Sequence, residues 1–305
     1  MKVATKLMLL NDQNEKFFGE GPYRLLRGVG ETGSLRSAAM AMGISYAKSL
    51  KILKTAEQSL GFPLTIRSIG GRGGGGSLLT PEAVAWLAKY EAYRDACMTA
   101  NQALFREHFP RIGCVVMASG LGKRFGGNKL MADFEGQPLI GTTLDVTEGL
   151  FAHRVVVTRS HEVSDLCRKR GIEVILHDFP HRSDAVRLGI QALEEMDGYM
   201  FCLGDQPLLR RETVRELIGC WEGDRGCIWR TAVQTEPGSP VLFPEWAVPE
   251  LLNLPEGKGG GWVIQNHPDK LRTLSVSDPY ELMDVDTGED LRFLQTVSRK
   301  NADKG

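Results

Sequence analysis

The stretch GCVVMASGLGKRFGGNKL, residues 113–130, begins as a short apolar run and then places four glycines and three cations within a dozen residues. Its spacing differs from two common phosphate loops. A P-loop requires GxxxxGK followed by Ser or Thr, whereas Lys129 is followed by leucine. A dinucleotide fingerprint requires GxGxxG, whereas Gly120, Gly122 and Gly126 are spaced GxGxxxG. The loop therefore predicts a different mode of anion binding.

The residue types of this loop suit a triphosphate. Gly120 and Gly122 allow the backbone to approach a ligand closely, and Arg124 and Lys129 supply two cations five residues apart. Backbone N–H groups at a strand-to-helix turn bind phosphate oxygens, and the two cations would neutralise the remaining charge.

Apolar runs alternate with helical patterns from Arg111 onward. IGCVVMA, RVVVT and YMFCLG have the length of strands, and EVSDLCRKR and RETVRELIGCW between or after them have helical periodicity. Such alternation predicts a Rossmann-like three-layer α/β fold with a mostly parallel sheet covered on both faces. Ligands in such folds bind at the carboxyl ends of the strands, where the glycine loop lies.

Two aspartates complement the cationic loop. Asp205 follows the strand YMFCLG, with Pro207 expected to start the next helix, and Asp286 lies in ELMDVDTGEDL. Reaction of a triphosphate requires a divalent ion, which the loop cannot hold because its charged groups are cations. We therefore expect Asp205 and Asp286 to bind Mg²⁺. The alternative for Asp205 is a helix cap.

The first 110 residues differ from the rest in charge and pattern. Residues 1–110 carry 14 Lys and Arg against 9 Asp and Glu, and the remainder carries 23 against 29. Ser34 and Ser45 are predicted to cap two helices separated by Gly43, with Leu50 and Leu53 of the second helix facing the core. This pattern is typical of a helix-turn-helix.

Two extended segments, LTIRS and SLLTP, follow the second helix and flank a glycine-rich tip, IGGRGGGG. This pattern is typical of a wing, and a simple linker is the alternative. The second helix would enter the major groove of DNA, and an arginine in the wing would reach a phosphate. An ordinary solvated helix face is the alternative for the polar residues. The predicted DNA contacts are Ser45, Tyr46, Lys48, Lys51 and Arg72.

The stretches ETGSLRSAAMAMGISY and GRGGGGSLLTPEA resemble the N-terminal DNA-binding domain of ModE-type molybdate-responsive regulators, from about Tyr23 to Phe109. The resemblance implies a winged helix-turn-helix that binds double-stranded DNA and forms a homodimer through the helix after the wing, residues 81–108. The apolar residues expected at that interface are Val84, Leu87, Tyr90 and Leu104.

The stretch MASGLGKRFGGNKL resembles, without a gap, the signature LAAGxSxRMGxxKLL of MobA-like nucleotidyltransferases. The resemblance implies that Arg124 stabilises charge at the reacting α-phosphate and that Lys129 grips the triphosphate. GDQP and DVDTGED resemble the family's magnesium motifs, which again implies Asp205 and Asp286 as ligands. The remaining nucleotide contacts implied are Ala118, Ser119, Gly120, Gly122 and, in RSDAVRLGI, Arg187. A solvated surface helix is the alternative for Arg187.

Two further stretches resemble the acceptor side of this family. PGSPVLFP is similar to its GxPxLF loop, and LPEGKGGGW stands where the family has GDxGxR, without the acid and the arginine. The resemblance implies magnesium-dependent transfer of a nucleotide to molybdopterin-type cofactor, with release of pyrophosphate. An acceptor molybdoenzyme would then receive the product.

CTP is the expected nucleotide and GTP the alternative. LGDQPLL is similar to the cytidylyl branch of the family, and Ser119 stands at the first of two adjacent glycines that are typical of the guanylyl branch. Two other functions remain open: a transcriptional regulator whose second domain only senses a nucleotide or cofactor, and a sugar-nucleotide pyrophosphorylase. A complete aspartate pair favours turnover over sensing.

The chain is expected to consist of two domains, residues 1–110 and 111–305. No uninterrupted apolar run reaches the roughly 18 residues of a membrane span, and no secretory leader is evident, so a cytoplasmic location is expected. The six cysteines contain no CxxC pair and predict neither a zinc site nor a disulfide framework.

Overall fold

The structure is a computed structural model that describes residues 3–68, 76–120, 122 and 124–302. The chain divides into two compact units, Met1–His108 and Phe109–Gly305. None of the helices in these described ranges has the length and apolar composition needed to cross a bilayer.

The N-terminal unit is a winged helix-turn-helix, as predicted. Its strands pair as two antiparallel hairpins, β1 with β2 and β3 with β4. The elements follow in the order β1 (Met8–Leu10), β2 (Lys16–Gly19), α1 (Glu20–Thr32), α2 (Leu35–Ala41), α3 (Tyr46–Leu60), β3 (Thr65–Ser68), β4 (Gly76–Leu79) and α4 (Pro81–His108).

Local capping defines the two helices of the helix-turn-helix. The Oγ of Ser34 accepts a hydrogen bond from the N–H of Ser37, and the Oγ of Ser45 accepts one from the N–H of Lys48, each at 3.2 Å. Gly43, between the helices, has a φ of 66°, a conformation that glycine adopts without steric cost. The two predicted caps are therefore confirmed.

The buried face of α3 differs from the prediction at one position. Leu53 is 3% exposed and lies in the core, whereas Leu50 is 41% exposed. Ser49 takes the predicted place of Leu50, with its Oγ donating to the carbonyl of Tyr46 at 2.7 Å. Because Ser49, Leu53 and Ala56 follow the helical period, Leu50 falls on the flank of this stripe.

Helix α4 contributes to the core of its own unit. Leu87 and Tyr90 are buried there, so they are not available to a second chain, contrary to the expectation. Val84 and Leu104 are more than half exposed. The apolar stripe that begins at Ala83 docks inward, and Val84 lies beside it.

The C-terminal unit contains the alternating strands and helices that the sequence predicts. They are β5 (Ile112–Ala118), β6 (Asp133–Phe134), β7 (Gln137–Pro138), α5 (Leu139–Val146), β8 (His153–Thr158), α6 (His161–Lys169), β9 (Glu173–Leu176), α7 (Arg182–Ala192), β10 (Gly198–Leu203), α8 (Arg211–Gly223), β11 (Ile228–Val233), β12 (Glu236–Pro244), α9 (Val248–Leu252), α10 (Gly260–Asn266), β13 (Leu271–Val276) and α11 (Gly288–Ala302).

Seven of these strands form one sheet in the order β13-β11-β12-β10-β5-β8-β9. Every pair is parallel except the two pairs made by β12. Val116 and Val156 face one hydrophobic core, and Val115 and Val155 face the core on the opposite side. Alternation along the strands thus builds the predicted three layers.

Two local expectations for this unit were wrong. The stretch PGSPVLFP is not a loop but part of β12, which hydrogen-bonds to strands on both sides. Helix α8 begins at Arg211 rather than Pro207. The carboxylate of Glu281 accepts a hydrogen bond from the N–H of Arg210 at 3.1 Å. A residue far along the chain therefore helps to define where this helix starts.

The buried stripe of α3 leads to a stability prediction. Leu53→Ala should lower the free energy of unfolding of the N-terminal unit by about 2–5 kcal/mol, because it leaves a cavity in a closed core. Leu50→Ala, on the exposed flank of the same helix, should cost less than about 1 kcal/mol. Urea unfolding of the whole chain, followed by circular dichroism, measures both. Equal losses for the two variants would contradict the assigned register.

Candidate active site

The glycine loop after β5 forms a tight turn. The carbonyl of Gly122 accepts hydrogen bonds from the N–H groups of Phe125 and Gly126, at 2.9 and 3.2 Å. Gly122 has a φ of 56°, and a Cβ there would lie 2.6 Å from the carbonyl oxygen of Gly127. Glycine is therefore required at position 122 by both conformation and space.

Lys129 leaves this turn and lies between two aspartates. Its Nζ is 2.6 Å from Asp205 Oδ2 and 3.2 Å from Asp286 Oδ1, and it donates to the carbonyl of Val285 at 2.8 Å. The side chain is only 9% exposed. Burial opposes the charge, but the two ion pairs outweigh it and raise the pKa of Lys129. The ammonium thus remains charged at neutral pH.

Asp205 lies directly after β10, beside the segment that leads to Asp286. The N–H of Val285 donates to the carbonyl of Asp205 at 2.9 Å, and the amide of Gln206 donates to the carbonyl of Leu282 at 2.8 Å. These bonds join two motifs that are remote in sequence. They place both carboxylates at the carboxyl end of β10.

Asp286 is oriented by the start of α11. The carboxylate of Asp290 accepts hydrogen bonds from the N–H of Asp286 at 3.1 Å and from the N–H and Oγ1 of Thr287 at 2.7 and 2.8 Å. Hydrogen bonds from Thr287 lower the pKa of Asp290, so it is an anion that holds this turn. Asp286 also pairs with the exposed Arg124, whose Nη2 is 3.1 Å from Asp286 Oδ2.

Glu281 anchors the segment that carries these acids. It is buried, and its carboxylate accepts hydrogen bonds from the N–H of Arg210 and the hydroxyl of Thr213. Arg210 also pairs with Asp278 at 2.6 Å. The segment from Asp278 onward is therefore tied to the start of α8. Glu281 does not line the cavity of the site, but it positions the segment that carries the acids of the site.

A cavity of about 510 Å³ opens above the glycine loop. It contains most of the residues that the sequence assigns to the nucleotide and the metal. Those residues are Ser119, Gly120, Gly122, Arg124, Lys129, Asp205 and Asp286.

Two predicted residues lie elsewhere. Ala118 is buried at the end of β5, where its carbonyl accepts a hydrogen bond from Thr158 Oγ1 at 3.0 Å. Arg187 pairs with Asp184 at 3.0 Å and donates to the carbonyl of Leu252, which ties α7 to α9. Among the described residues, neither Ala118 nor Arg187 lines a cavity at this site.

The cavity contains further cations that sequence analysis missed. Arg182, the first residue of α7, and Arg159, after β8, both line it. Arg159 belongs to no motif, whereas Arg182 is the first residue of RSDAVRLGI, the stretch from which the sequence analysis took Arg187 instead. Their positions after β8 and before α7 are the available signal, because both places lie at the carboxyl ends of strands.

Ser119 is held rigidly at one wall. Its Oγ donates to the carbonyl of Val157 at 3.0 Å and lies 2.8 Å from the Nε2 of His177, which leaves the histidine as donor. Burial lowers the pKa of His177, so the ring is neutral at physiological pH. Phe179 stacks on this ring with centroids 6.1 Å apart.

Asp284 is a third acid that sequence analysis did not single out, although it lies two residues before Asp286. It lines the first cavity and also a second cavity of about 410 Å³. Desolvation within the cleft, reinforced by the charge of Asp205, raises the pKa of Asp284 to about 6. A carboxyl group thus stands between the two cavities.

The carboxylates fit a hard divalent cation. In the described parts of the chain, no three His, Cys, Asp or Glu side chains converge as a complete metal site. Mg²⁺, however, usually takes only one or two protein carboxylates together with phosphate oxygens and waters. Among the described residues, Asp205 Oδ1 has no hydrogen-bond partner, although it is buried. Asp205 and Asp286 therefore present oxygens that suit such an ion.

The predicted DNA contacts lie in the N-terminal unit. Tyr46, Lys48 and Lys51 are exposed along α3, and the guanidinium of Arg36 lies over the Tyr46 ring at 5.5 Å. The Ser45 side chain caps this helix. Arg72 lies outside the described residues.

Comparison with known proteins identifies relatives of both units. Residues 114–271, more than half of the chain, match the MobA-like NTP transferase domain. The probable molybdenum cofactor guanylyltransferase of Aquifex aeolicus (strain VF5) is 28% identical over 102 residues, which cover 33% of this chain and 49% of that protein.

The N-terminal region matches the molybdenum transport protein ModE of Herbaspirillum seropedicae. The two are 35% identical over 86 residues, 28% of this chain and 30% of that protein. The chain thus spans half or less of the length of these curated relatives. Both resemblances drawn from the sequence are confirmed.

A solved structure shares the fold of the C-terminal unit. The Rv0371C protein of Mycobacterium tuberculosis H37Rv, in a complex with manganese, matches with a TM-score of 0.53 and 24% identity. The match covers 61% of this chain and 98% of that one.

The raised pKa of Asp284 makes stability depend on pH. A carboxyl that binds its proton more tightly when folded contributes stability below its unfolded pKa of 3.8, and this contribution is lost as the pH rises through about 6. Asp284→Asn should therefore gain urea stability over the unchanged protein between pH 4 and 7, measured with EDTA present. Asp165→Asn, exposed on α6, is the control. A difference independent of pH would contradict the assignment.

Proposed function

The chain belongs to the MobA-like NTP transferase family, and we propose that it transfers a nucleotidyl group from an NTP to molybdopterin-type cofactor, releasing pyrophosphate. One observation carries the proposal. Lys129 lies between Asp205 and Asp286 at the mouth of the glycine loop, so one cluster combines the cation and the acids that a triphosphate and its metal require.

The triphosphate would lie in the first cavity. Arg124, Lys129, Arg159 and Arg182 supply positive charge around it, and the loop at Gly120 offers backbone N–H groups. Charge on the leaving pyrophosphate would be met by Arg124 and Lys129, and Lys129 is already held in place by its two ion pairs before the nucleotide binds. Such preorganised charge is the main source of rate enhancement in phosphoryl-type transfer.

Asp205 and Asp286 would hold Mg²⁺, whose role is to neutralise phosphate charge. The manganese complex of the mycobacterial neighbour supports a divalent ion in this fold. In the free protein, the charge of Lys129 would offset the repulsion between the two carboxylates. The chain needs no covalent nucleophile, because the acceptor phosphate attacks the α-phosphate in line and the residues of the cleft supply position and charge.

The acceptor would be molybdopterin-type cofactor, bound in the second cavity. The support is the similarity of the two units to a molybdenum cofactor guanylyltransferase and to ModE, both molybdenum-related proteins. A molybdoenzyme would receive the product. We place the reaction in the cytoplasm, where thiols such as Cys114 and Cys202 remain reduced.

CTP is our choice of nucleotide over GTP. Ser119 lines the nucleotide cavity, and its hydroxyl is fixed between Val157 and His177, so it cannot swing away to admit a larger base. The difference in size between cytosine and guanine provides only about 1–3 kcal/mol of discrimination, so polar contacts to the cytosine edge must supply the rest. The similarity to a guanylyltransferase keeps GTP as the alternative.

The experiment is pyrophosphate release with each of the four NTPs, Mg²⁺ and molybdopterin cofactor. We expect the highest kcat/KM with CTP. A value for GTP equal to or above that for CTP would overturn the choice of base but not the reaction. If no NTP releases pyrophosphate while nucleotide binding persists, the chain senses the nucleotide rather than turning it over.

Asp205→Asn is the matched variant of this assay. It preserves size and removes charge, so turnover should fall by about two orders of magnitude or more while folding persists. Arg124→Ala should lower turnover similarly, and it should raise the KM for the NTP more than Asp205→Asn does. Asp133→Asn, an exposed aspartate of β6, is the control and should retain full activity.

The N-terminal unit favours a second role, and we propose that it binds double-stranded DNA as a homodimer. Lys48 and Lys51 are exposed on α3, and exposed apolar residues along α4, such as Val84 and Leu104, provide a surface for a second chain. The sequence similarity of this unit to ModE supports both the DNA binding and the dimer.

Gel shifts of the full chain on genomic fragments test this role. We expect a specific complex on a palindromic site, with affinity that falls steeply as salt rises. Lys48→Ala combined with Lys51→Ala should weaken binding and reduce the salt slope by about 1 for each lysine. Lys89→Ala on α4 is the control. Absence of a specific complex at any salt concentration would rule out the regulatory role.

A further inference from the structure

The first cavity has two sides that differ in their side chains. The sheet runs in the order β10-β5-β8-β9 here, so the glycine loop after β5 lies between β10 and β8. Asp205 follows β10 on one side, whereas His177 follows β9 on the other. In the proposed function, Lys129 and the aspartates hold the phosphates and the metal on the side of β10. The side of β8 and β9 is therefore left for the base.

Ser119 and His177 form a hydrogen-bonded pair on the side of β8 and β9. The Oγ of Ser119 lies 3.0 Å from the carbonyl oxygen of Val157 and 2.8 Å from Nε2 of His177. Because a carbonyl oxygen can only accept, the hydroxyl proton of Ser119 must lie between the two oxygens. Nε2 of His177 therefore carries a proton of its own and donates it to Oγ.

The surroundings of His177 agree with a proton on Nε2. Burial, and after it the charge of Arg159, lower the pKa of His177, so the ring is neutral and carries a single proton. Its Nδ1 is buried and has no hydrogen-bond partner in the described part of the chain. An unpaired lone pair at Nδ1 is less costly than an unpaired N–H would be.

The two bonds leave the hydroxyl of Ser119 with one capacity toward a ligand. A hydroxyl has one proton and two lone pairs, and here the proton and one lone pair are already in use. Ser119 lines the first cavity, so its second lone pair is what a ligand can use. Ser119 can therefore accept a hydrogen bond from a ligand, but it cannot donate one while its bond to Val157 persists.

The ring of Phe179 suits this wall to a flat base. Phe179 is half exposed, lines the first cavity, and stacks on His177 with ring centroids 6.1 Å and planes 25° apart. Stacking on an aromatic ring tolerates every base, because each base has a π-face. A choice among bases must therefore come from polar groups such as the Oγ of Ser119.

From these contacts we propose that His177 is a positioning residue, which holds Ser119 as an acceptor for the exocyclic amino group of cytosine and so selects CTP against UTP. The proposal rests on the proposed function, which assigns the first cavity to an NTP. Cytosine carries an amino group at C4 and uracil a carbonyl oxygen, so uracil would bring a second acceptor against Oγ. A site that accepts a hydrogen bond from a substrate N–H rejects the analogue without it, because the acceptor is left unpaired.

Calorimetric titration of the full chain with each nucleotide and Mg²⁺, without an acceptor, measures this preference. We expect CTP to bind at least about tenfold more tightly than UTP. Equal affinities for the two nucleotides would overturn the proposal.

An analogue separates position 4 of the base from position 3. The triphosphate of the pyrimidin-2-one riboside carries hydrogen at C4 and keeps the N3 acceptor of cytosine. It should bind with an affinity between those of CTP and UTP, because it loses the donor without adding an oxygen. An analogue that binds as tightly as CTP would place the selection at N3 and contradict the role of Ser119.

Two variants separate the N–H of His177 from the space that its ring fills. His177→Leu removes the donor and should reduce the preference for CTP to less than about threefold. His177→Gln keeps an N–H that can reach Oγ and should retain a larger preference. A merely structural role would change the affinities for CTP and UTP together. A leucine variant with the full preference, or a glutamine variant no more selective than the leucine variant, would rule out the positioning role.

His153→Leu is the matched control. His153 lies at the start of β8, outside the first cavity, and its Nε2 is 2.7 Å from Glu173 Oε2. Its replacement removes a histidine contact from the same sheet without touching Ser119, so the full preference for CTP should remain.

The two proposals fail separately. A tenfold preference in binding, with no pyrophosphate release from any NTP, would remove the transferase reaction and leave the role of His177. Pyrophosphate release with equal kcat/KM for CTP and UTP would remove the role of His177 and leave the reaction. A protein that binds neither nucleotide would contradict both.

Discussion

The buried ammonium of Lys129 holds the candidate site together. It contacts Asp205 after β10 and Asp286 before α11, and both carboxylates lie within 3.2 Å of one nitrogen. Without this cation the two acids would repel each other in a partly desolvated cleft. The same contact lets the glycine loop, which carries Lys129, close over the carboxyl ends of the central strands. The arrangement of the site and its readiness for a phosphate ligand thus both depend on the contact of Lys129 with the two carboxylates.

The acids are positioned by groups that do not belong to the site. Glu281 binds the start of α8, Gln206 binds the carbonyl of Leu282, and Asp290 holds the turn at Asp286. These neutral and charged hydrogen bonds fix the segment before α11 against the segment after β10. The result is a rigid set of carboxylates whose charges are balanced in advance, which lowers the reorganisation needed when a charged ligand binds.

Cavity formation follows from the sheet. The antiparallel strand β12 lies between β11 and β10 and interrupts an otherwise parallel order. The β11–β12 hairpin supplies one wall of the second cavity, and the glycine loop lines the first cavity on the other side of Asp284. The carboxyl ends of the strands therefore border two adjoining cavities of different chemistry. The first cavity is rich in charged side chains, and the wall of the second is about half apolar.

The sequence by itself determined the features that depend on neighbours along the chain. Ser45 caps its helix, Gly122 occupies a left-handed turn, and short apolar runs define the central strands, because each requires only local sequence. Only the tertiary structure decided that Arg182 rather than Arg187 faces the cavity, and that Leu50 is exposed. Helical spacing places these side chains on a face, but which face is covered, and by what, depends on packing between segments remote in sequence.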